Sequence, residues 1–434
     1  MHTRLMSRFA LATVIAAFTL MPLEAVSGQL PQLQNWPQWR GPEATGVAPA
    51  ANPPAEWSES ANIRWKVPVP GRGSGSPIVW GDRVFVLTAV SESGQTAEGV
   101  VHRYVVMAFD RETGAVVWEK VAREEAPHES THRQNGTYAS ASPVTDGEVL
   151  IASFESRGLY AFDLDGNLIW EKDLGDKLMR NQFGEGSTPA LHGDTIVHVW
   201  DQIGGQSFVV ALDKRTGEER WRQDRDEIDT WATPLIVEAN GRAQVIVPAM
   251  ERVKSYDLQT GEVVWETEGL TMNVIPSPVY EDGLAILMSG FRGNSLKAID
   301  LTKAEGDITG TDAIVWTHDR DTPYVPSPLL YDGILYILKS NSGILTAFDA
   351  RTGEPHYALQ RLEGVDEVFS SPVGAAGRVY ITSRGGHTVV LEHGEAFEVV
   401  GANTLDDGFD ASPAIVDGEI YLRGYRFLYC IAES

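Results

Sequence analysis

A Ser/Thr-Pro step recurs at near-regular spacing in eight places along this chain, at Ser76-Pro77, Ser142-Pro143, Thr188-Pro189, Thr233-Pro234, Ser277-Pro278, Ser327-Pro328, Ser371-Pro372 and Ser412-Pro413. Successive prolines are 66, 46, 45, 44, 50, 44 and 41 residues apart. Self-similarity at such a period marks blade-type repeats, in which each unit buries its faces only against its neighbours. After each step comes a short apolar run and then usually Asp-Gly or a near relative, as at Gly81-Asp82, Asp146-Gly147, Asp282-Gly283, Asp332-Gly333 and Asp417-Gly418. An alternating run follows, such as Val84-Phe85-Val86-Leu87 or Ile334-Leu335-Tyr336-Ile337. Asp-Gly supplies the positive φ angles of a tight primed turn, so each unit opens with a β-hairpin.

The second half of the unit reads Ala-x-Asp-x-x-Thr-Gly-x-x-x-Trp. The clearest copies are Ala108 to Trp118 and Ala211 to Trp221; Ser255 to Trp265 differs at its first residue, and Ala161 to Trp170 is one residue shorter. Ala347 to Tyr357 ends in tyrosine, and Ala298 to Trp316 carries an insertion between its Asp and its Trp. Asp and Thr side chains bond backbone groups inside a turn and Gly takes the φ that other residues resist, so two strands are joined tightly before a large aromatic is buried. Trp65, Trp118, Trp170, Trp221, Trp265, Trp316, Tyr357 and Phe397 form a ladder of eight aromatics, one per unit. The last unit stops before a terminal Trp strand, while Ile63 to Val67 carries an orphan Trp65 ahead of the first unit. That segment is therefore expected to complete the eighth blade, because an open ring would leave bare strand edges. The expected fold is all-β: an eight-bladed propeller with tryptophan-docking repeats over residues 62–434, closed by an N-terminal strand.

Composition narrows the partners. The chain of 434 residues carries 60 Asp and Glu against 35 Lys and Arg, a net charge of −25. A surface of that sign repels phosphate-rich partners, which argues against nucleic acid and anionic membranes. The one cysteine, Cys430, allows no intrachain disulfide and no Cys-based zinc cluster, and reads as a small apolar filler. Residues 1–28 read as a cleaved secretory signal: Arg4 and Arg8 flank an apolar stretch from Phe9 to Met21, too short for a membrane span, and small residues follow at Ala25, Ser27 and Gly28. No cysteine near that point could accept a lipid. A periplasmic or secreted monomer without stable membrane insertion is expected, with a Trp/Pro-rich arm at residues 29–61 docked on the outside or bottom of the ring through Trp36, Trp39 and Trp57.

The repeat motif resembles the tryptophan-docking motif of quinoprotein-type β-propellers, the superfamily of quinoprotein alcohol dehydrogenases and of the outer-membrane assembly factor BamB. The similarity runs from about Trp36 to Cys430. Within it, Trp36-Pro37-Gln38-Trp39-Arg40-Gly41-Pro42 and Leu428-Tyr429-Cys430-Ile431 look like exported PQQ-binding-like β-propeller repeat proteins. The superfamily implies pyrroloquinoline quinone with Ca²⁺, but the dehydrogenases' adjacent cysteine pair and their Glu/Asn/Asp calcium ligands have no counterpart here. No cofactor is therefore expected.

Three sets of residues could carry chemistry. Trp231 could floor a planar ligand. His128-Glu129-Ser130-Thr131-His132 matches H-E-x-x-H, yet Pro127 precedes it and Gln134-Asn135-Gly136 follows, so a polar loop over the ring's mouth is the leading interpretation and His128, Glu129 and His132 are weak metal candidates. Polar residues ahead of strand starts and in nearby hairpins are expected to converge on a central funnel: Arg180, Gln182, Asp201, Asp229, Asn273, Arg292, Arg384 and Arg423, with Asn181, Glu185, Tyr324 and Asp410 beside them. The four arginines among them would make a positive pocket for carboxylate or phosphate groups. The long excursions Ala89 to His102 and Lys120 to Ala139 flank the first blade and mark that sector of the rim for specificity. His387 shows no partner. The reading is an exported ligand- or protein-binding propeller scaffold, taking an envelope protein or a small anionic ligand. The alternative is a divergent PQQ- or metal-dependent enzyme using the funnel.

Overall fold

The computed structural model describes residues 33–92 and 99–433. The signal segment 1–28 lies outside the described residues, as does part of the first long excursion. Eight four-stranded antiparallel units follow one another around a ring. Blade 1 comprises Ile78–Trp80, Arg83–Ser91, His102–Asp110 and Val116–Glu125; blades 2 to 7 span 144–172, 190–225, 235–268, 279–318, 329–361 and 373–404. Blade 8 takes three strands from 414–432 and its outermost from Ile63–Pro68. The closing pairing is antiparallel, with Trp65 opposite Cys430 and Val67 opposite Leu428. Across the same seam, Arg111 of blade 1 pairs with Glu419 at 2.6 Å and Asp417 at 2.7 Å. The expected latch is in place.

The Ser/Thr-Pro steps explain the hub. Proline pushes the residue before it into extended backbone, and there the backbone N–H of each step donates to the side-chain oxygen of the next. Ser76 donates to Ser142, Ser142 to Thr188, Thr188 to Thr233 and Thr233 to Ser277. Ser277 donates to Ser327, Ser327 to Ser371, Ser371 to Ser412 and Ser412 back to Ser76, all eight bonds lying between 2.8 and 3.2 Å. A closed belt of hydrogen bonds thus satisfies eight backbone donors that have no strand partner in the channel.

At the perimeter, five of the six docking indoles reach the next blade. The Nε1–H of Trp65, Trp118, Trp170, Trp221 and Trp316 donates to the carbonyls of Arg111, Leu164, Lys214, Leu258 and Ala350, at 2.8 to 3.0 Å. Each indole lies over the turn glycine of that blade. At Gly261, with φ of +76°, a Cβ would stand 2.6 Å from Trp221. The turn is built as expected: Asp110 Oδ1 accepts from the Thr113 N–H at 2.9 Å and its hydroxyl at 2.7 Å.

Two rungs depart from the repeat. The insertion in blade 5 removes the turn beneath Trp265, and its Gly306–Asp307 runs parallel to the edge of blade 4 instead. Trp265, fully buried, therefore donates to Gln244 Oε1 of its own blade at 3.1 Å. Phe397 is not the blade-7 rung: it lies in the turn after the third strand and packs edge-on against Tyr357, ring centroids 5.6 Å apart. Gly401 holds the register position of the docking aromatic, opposite Val390. Trp57 of the arm supplies the missing ring, stacked on Tyr380 at 6.4 Å and held by its own N–H to Asn403 Oδ1 at 2.7 Å.

The rest of the arm goes beyond the expected docking on the outside or bottom of the ring and enters the channel. Trp36 exchanges two 2.9 Å backbone hydrogen bonds with Val79 on the innermost strand of blade 1. From there the chain crosses the channel, and Val47–Ala48 pairs in parallel with the innermost strand of blade 7. Between the two, buried Arg40 donates to the carbonyls of Pro372 at 2.6 Å, Thr45 at 2.9 Å and Pro328. The lower end of the channel is plugged.

Candidate funnel site

Above the plug the channel opens into a cavity of about 350 Å³. Its floor is Trp39, its waist is the hydroxyl belt, and its walls come from the connections that lead from one blade's outermost strand to the next blade's innermost, joined by Asn341 from the hairpin between the middle strands of blade 6. Four more half-buried aromatic rings face it: Phe183, Trp231, Tyr324 and Phe369. Trp231 is fixed by an indole bond to the Gly184 carbonyl at 2.7 Å. Tyr324 stacks on Phe291 at 4.7 Å and accepts from Asn273 Nδ2 at 3.3 Å.

The charged groups on the wall are Glu185, Glu367 and Asp410, with His132 beside them. Asp410 is bound by Arg384 Nε at 2.6 Å, and Arg384 also reaches Glu367 at 3.2 Å and Asn135 Oδ1 at 2.9 Å. Burial raises the Asp410 pKa even against that guanidinium. Glu185 accepts from the Ser156 N–H at 3.0 Å and from its hydroxyl; burial raises its pKa against the opposing pull of Lys177. The wall is therefore close to neutral. The expected positive pocket does not form, because each arginine is spent or absent. Arg180 lies behind the wall, paired with buried Asp229 at 3.2 Å. Arg384 is neutralised as described, and exposed Arg292 stands near Phe291 on the rim. Arg423 is enclosed, bonded to the Gly424 carbonyl at 2.9 Å, and burial pulls its pKa down to about 10.

Of the other funnel candidates, Trp231, Asn273, Glu185, Tyr324 and Asp410 line the cavity. Asp201 does not: it forms a buried ion pair with Arg225 at 2.8 Å inside blade 3. Gln182 is exposed and accepts from Ser130, and Asn181 is exposed beside it. His387 accepts or donates to Thr404 on the outside of blade 7. The sequence reading missed Trp39, Asn135, Asn341, Glu367, Phe183 and Phe369. The last three and Asn135 all lie shortly before a Ser/Thr-Pro step, which was the available signal.

The H-E-x-x-H segment is not helical, and its side chains diverge. His128 Nε2–H donates to the Lys177 carbonyl at 2.7 Å, while His132 packs on Phe183 at 5.3 Å and faces the funnel. Glu129 turns inward and accepts from the Met179 N–H at 3.3 Å, and burial raises its pKa to about 7. No group of three metal-ligating side chains converges among the described residues. The Lys120 to Ala139 excursion does reach the funnel, through His132, Asn135 and Gly136.

Fold and site together define a plugged, eight-bladed propeller of the tryptophan-docking class. The chain belongs to the family described as outer membrane protein assembly factor BamB, which matches residues 55–199 and 205–424. A BamB of Kangiella koreensis is 29% identical over 136 residues, 30% of this chain and 32% of that protein. The matches span no more than about a third of these curated relatives. Among solved structures, BamB from Moraxella catarrhalis aligns with a TM-score of 0.56 at 14% identity, covering 85% of this chain and 96% of that one. A europium-containing methanol dehydrogenase aligns at 0.64 with 11% identity, covering 90% and 89%. Likeness at such identity is likeness of fold.

Proposed function

We propose that the protein is a non-catalytic binding propeller of the cell envelope that takes part in outer-membrane protein assembly. The observation that carries this reading is the family match, which runs through both halves of the wheel. Export would follow from the signal-like residues 1–28. No helix among the described residues is long and apolar enough to cross a membrane. The funnel does not suit the quinone of the dehydrogenase neighbours. A tricarboxylate would meet Glu367 and Asp410, and the arginine nearest them already holds both. Calcium would need several convergent oxygen ligands, and the wall's carboxylates are committed to Arg384 and Ser156.

Deletion of the gene in its host, with quantitative proteomics of the outer membrane, tests the proposal. The expected result is loss of several β-barrel proteins, restored by the wild-type gene. An unchanged outer membrane, or dye-linked alcohol oxidation by the purified protein with pyrroloquinoline quinone and Ca²⁺, would overturn it.

A further inference from the structure

The funnel has a chemistry of its own, which goes beyond the envelope role proposed above. Its aliphatic lining is confined to Ile275 and Val325, whereas five half-buried aromatic rings face the space. Rings left half open to solvent in a concave site are apolar surface waiting for a partner. Between them stand oriented amides. Asn135 Oδ1 is taken by Arg384 at 2.9 Å and Asn341 Oδ1 by the Val325 N–H at 3.0 Å. Fixing the oxygen fixes the amide flip, so each residue presents its NH₂ group, which has no partner among the described residues. The belt hydroxyls below accept backbone N–H groups and retain their own protons as donors.

Charge excludes most occupants. An anion would face Glu367 and Asp410, whose shared counter-ion, Arg384, is already used. A cation would have to displace Arg384, whose guanidinium already stands on both Glu367 and Asp410, at 3.2 and 2.6 Å. A lipid or sterol would need an aliphatic wall. What fits is a neutral molecule with apolar faces for stacking and many hydroxyls for amides and carboxylates. We propose that the funnel is a saccharide-binding site, with Trp231 as a stacking platform and Asn135 and Asn341 as donors. About 350 Å³ is at the small end of ligand pockets and suits one or two sugar rings. Because Trp39 closes the floor, the ligand enters and leaves by the upper mouth alone.

The test is calorimetric titration of the mature protein with maltose, cellobiose and diacetylchitobiose, using choline and citrate as charged comparators. Saturable binding of at least one disaccharide is expected, weakened tenfold or more by Trp231→Leu or by Asn135→Ala and unchanged by Arg292→Ala on the rim. Asn135 lies on a surface loop, so that variant keeps the test usable if Trp231→Leu fails to fold. No binding of the three sugars up to about 10 mM, binding of choline or citrate alone, or sugar binding indifferent to the variants that fold would overturn the proposal. The titration reads the funnel and the gene deletion reads the envelope role, so either can fail without the other.

Discussion

The belt and the mouth of this propeller are a few residues apart along every connection, yet they are built on opposite terms. In the belt, eight Ser or Thr residues do one job, and each backbone N–H finds the next side-chain oxygen. In the mouth no connection repeats another, and costs accumulate. Asp229 and Glu129 are buried carboxylates whose pKa values burial raises. Glu155 adopts a left-handed φ of +51° while its carboxylate pairs with fully buried Lys177 at 2.7 Å. Strain and desolvation of this kind persist where the surrounding structure holds them, and they concentrate at sites of function. The lesson is that the repeat supplies stability while the connections hold what was selected for something else.

The sharpest challenge to that contrast is a pair of tryptophans. Trp65→Ala, at the closing seam, should cost about 3–5 kcal/mol in denaturant unfolding, whereas Trp231→Ala in the half-open mouth should cost far less. Equal losses would erase the distinction between structural and ligand-facing rings.

A second experiment asks whether the mouth is under load. The folded state holds the Glu129 proton more tightly than the unfolded chain, since its pKa rises from 4.5 to about 7. Stability from that group is present below the unfolded value and is lost as pH climbs through the folded one. Glu129→Gln should therefore unfold later than wild type at pH 8, by about 1–3 kcal/mol, and the gain should vanish below about pH 4.5. A variant less stable than wild type at pH 8 would show that the mouth carries no such cost.

Within the belt, Ser142→Ala and Ser371→Ala should each cost about 1–1.5 kcal/mol by thermal or chemical melting. Similar values are expected because each leaves one N–H, that of Ser76 or Ser327, without its acceptor. A large difference between the two would mean that the belt's members are not equivalent. Smallest of all, Gln182→Ala on the rim should stay within about 0.5 kcal/mol of wild type.

Much of this was legible in advance. The blade count, the closure by Trp65 and the turn chemistry of Asp110 and Thr113 follow from local patterns that every unit repeats. Phe397 was misread because spacing alone cannot tell a turn aromatic from a strand aromatic when a distant Trp57 fills the position. The arginines were misjudged for a related reason: residue type announces a charge, but only the fold sets Asp410 beside Arg384 and Asp229 beside Arg180.

By itself the sequence determined the wheel, since each blade is specified by contacts within and next to it, and short-range rules of pleat, turn and burial are written in the repeat. Tertiary structure alone decided the threading of Trp36 to Arg40 through the channel and the near-neutral charge of the funnel wall. Those depend on groups far apart in the chain meeting at the axis, where an ion pair or an orphan carbonyl is settled by geometry that no local pattern records.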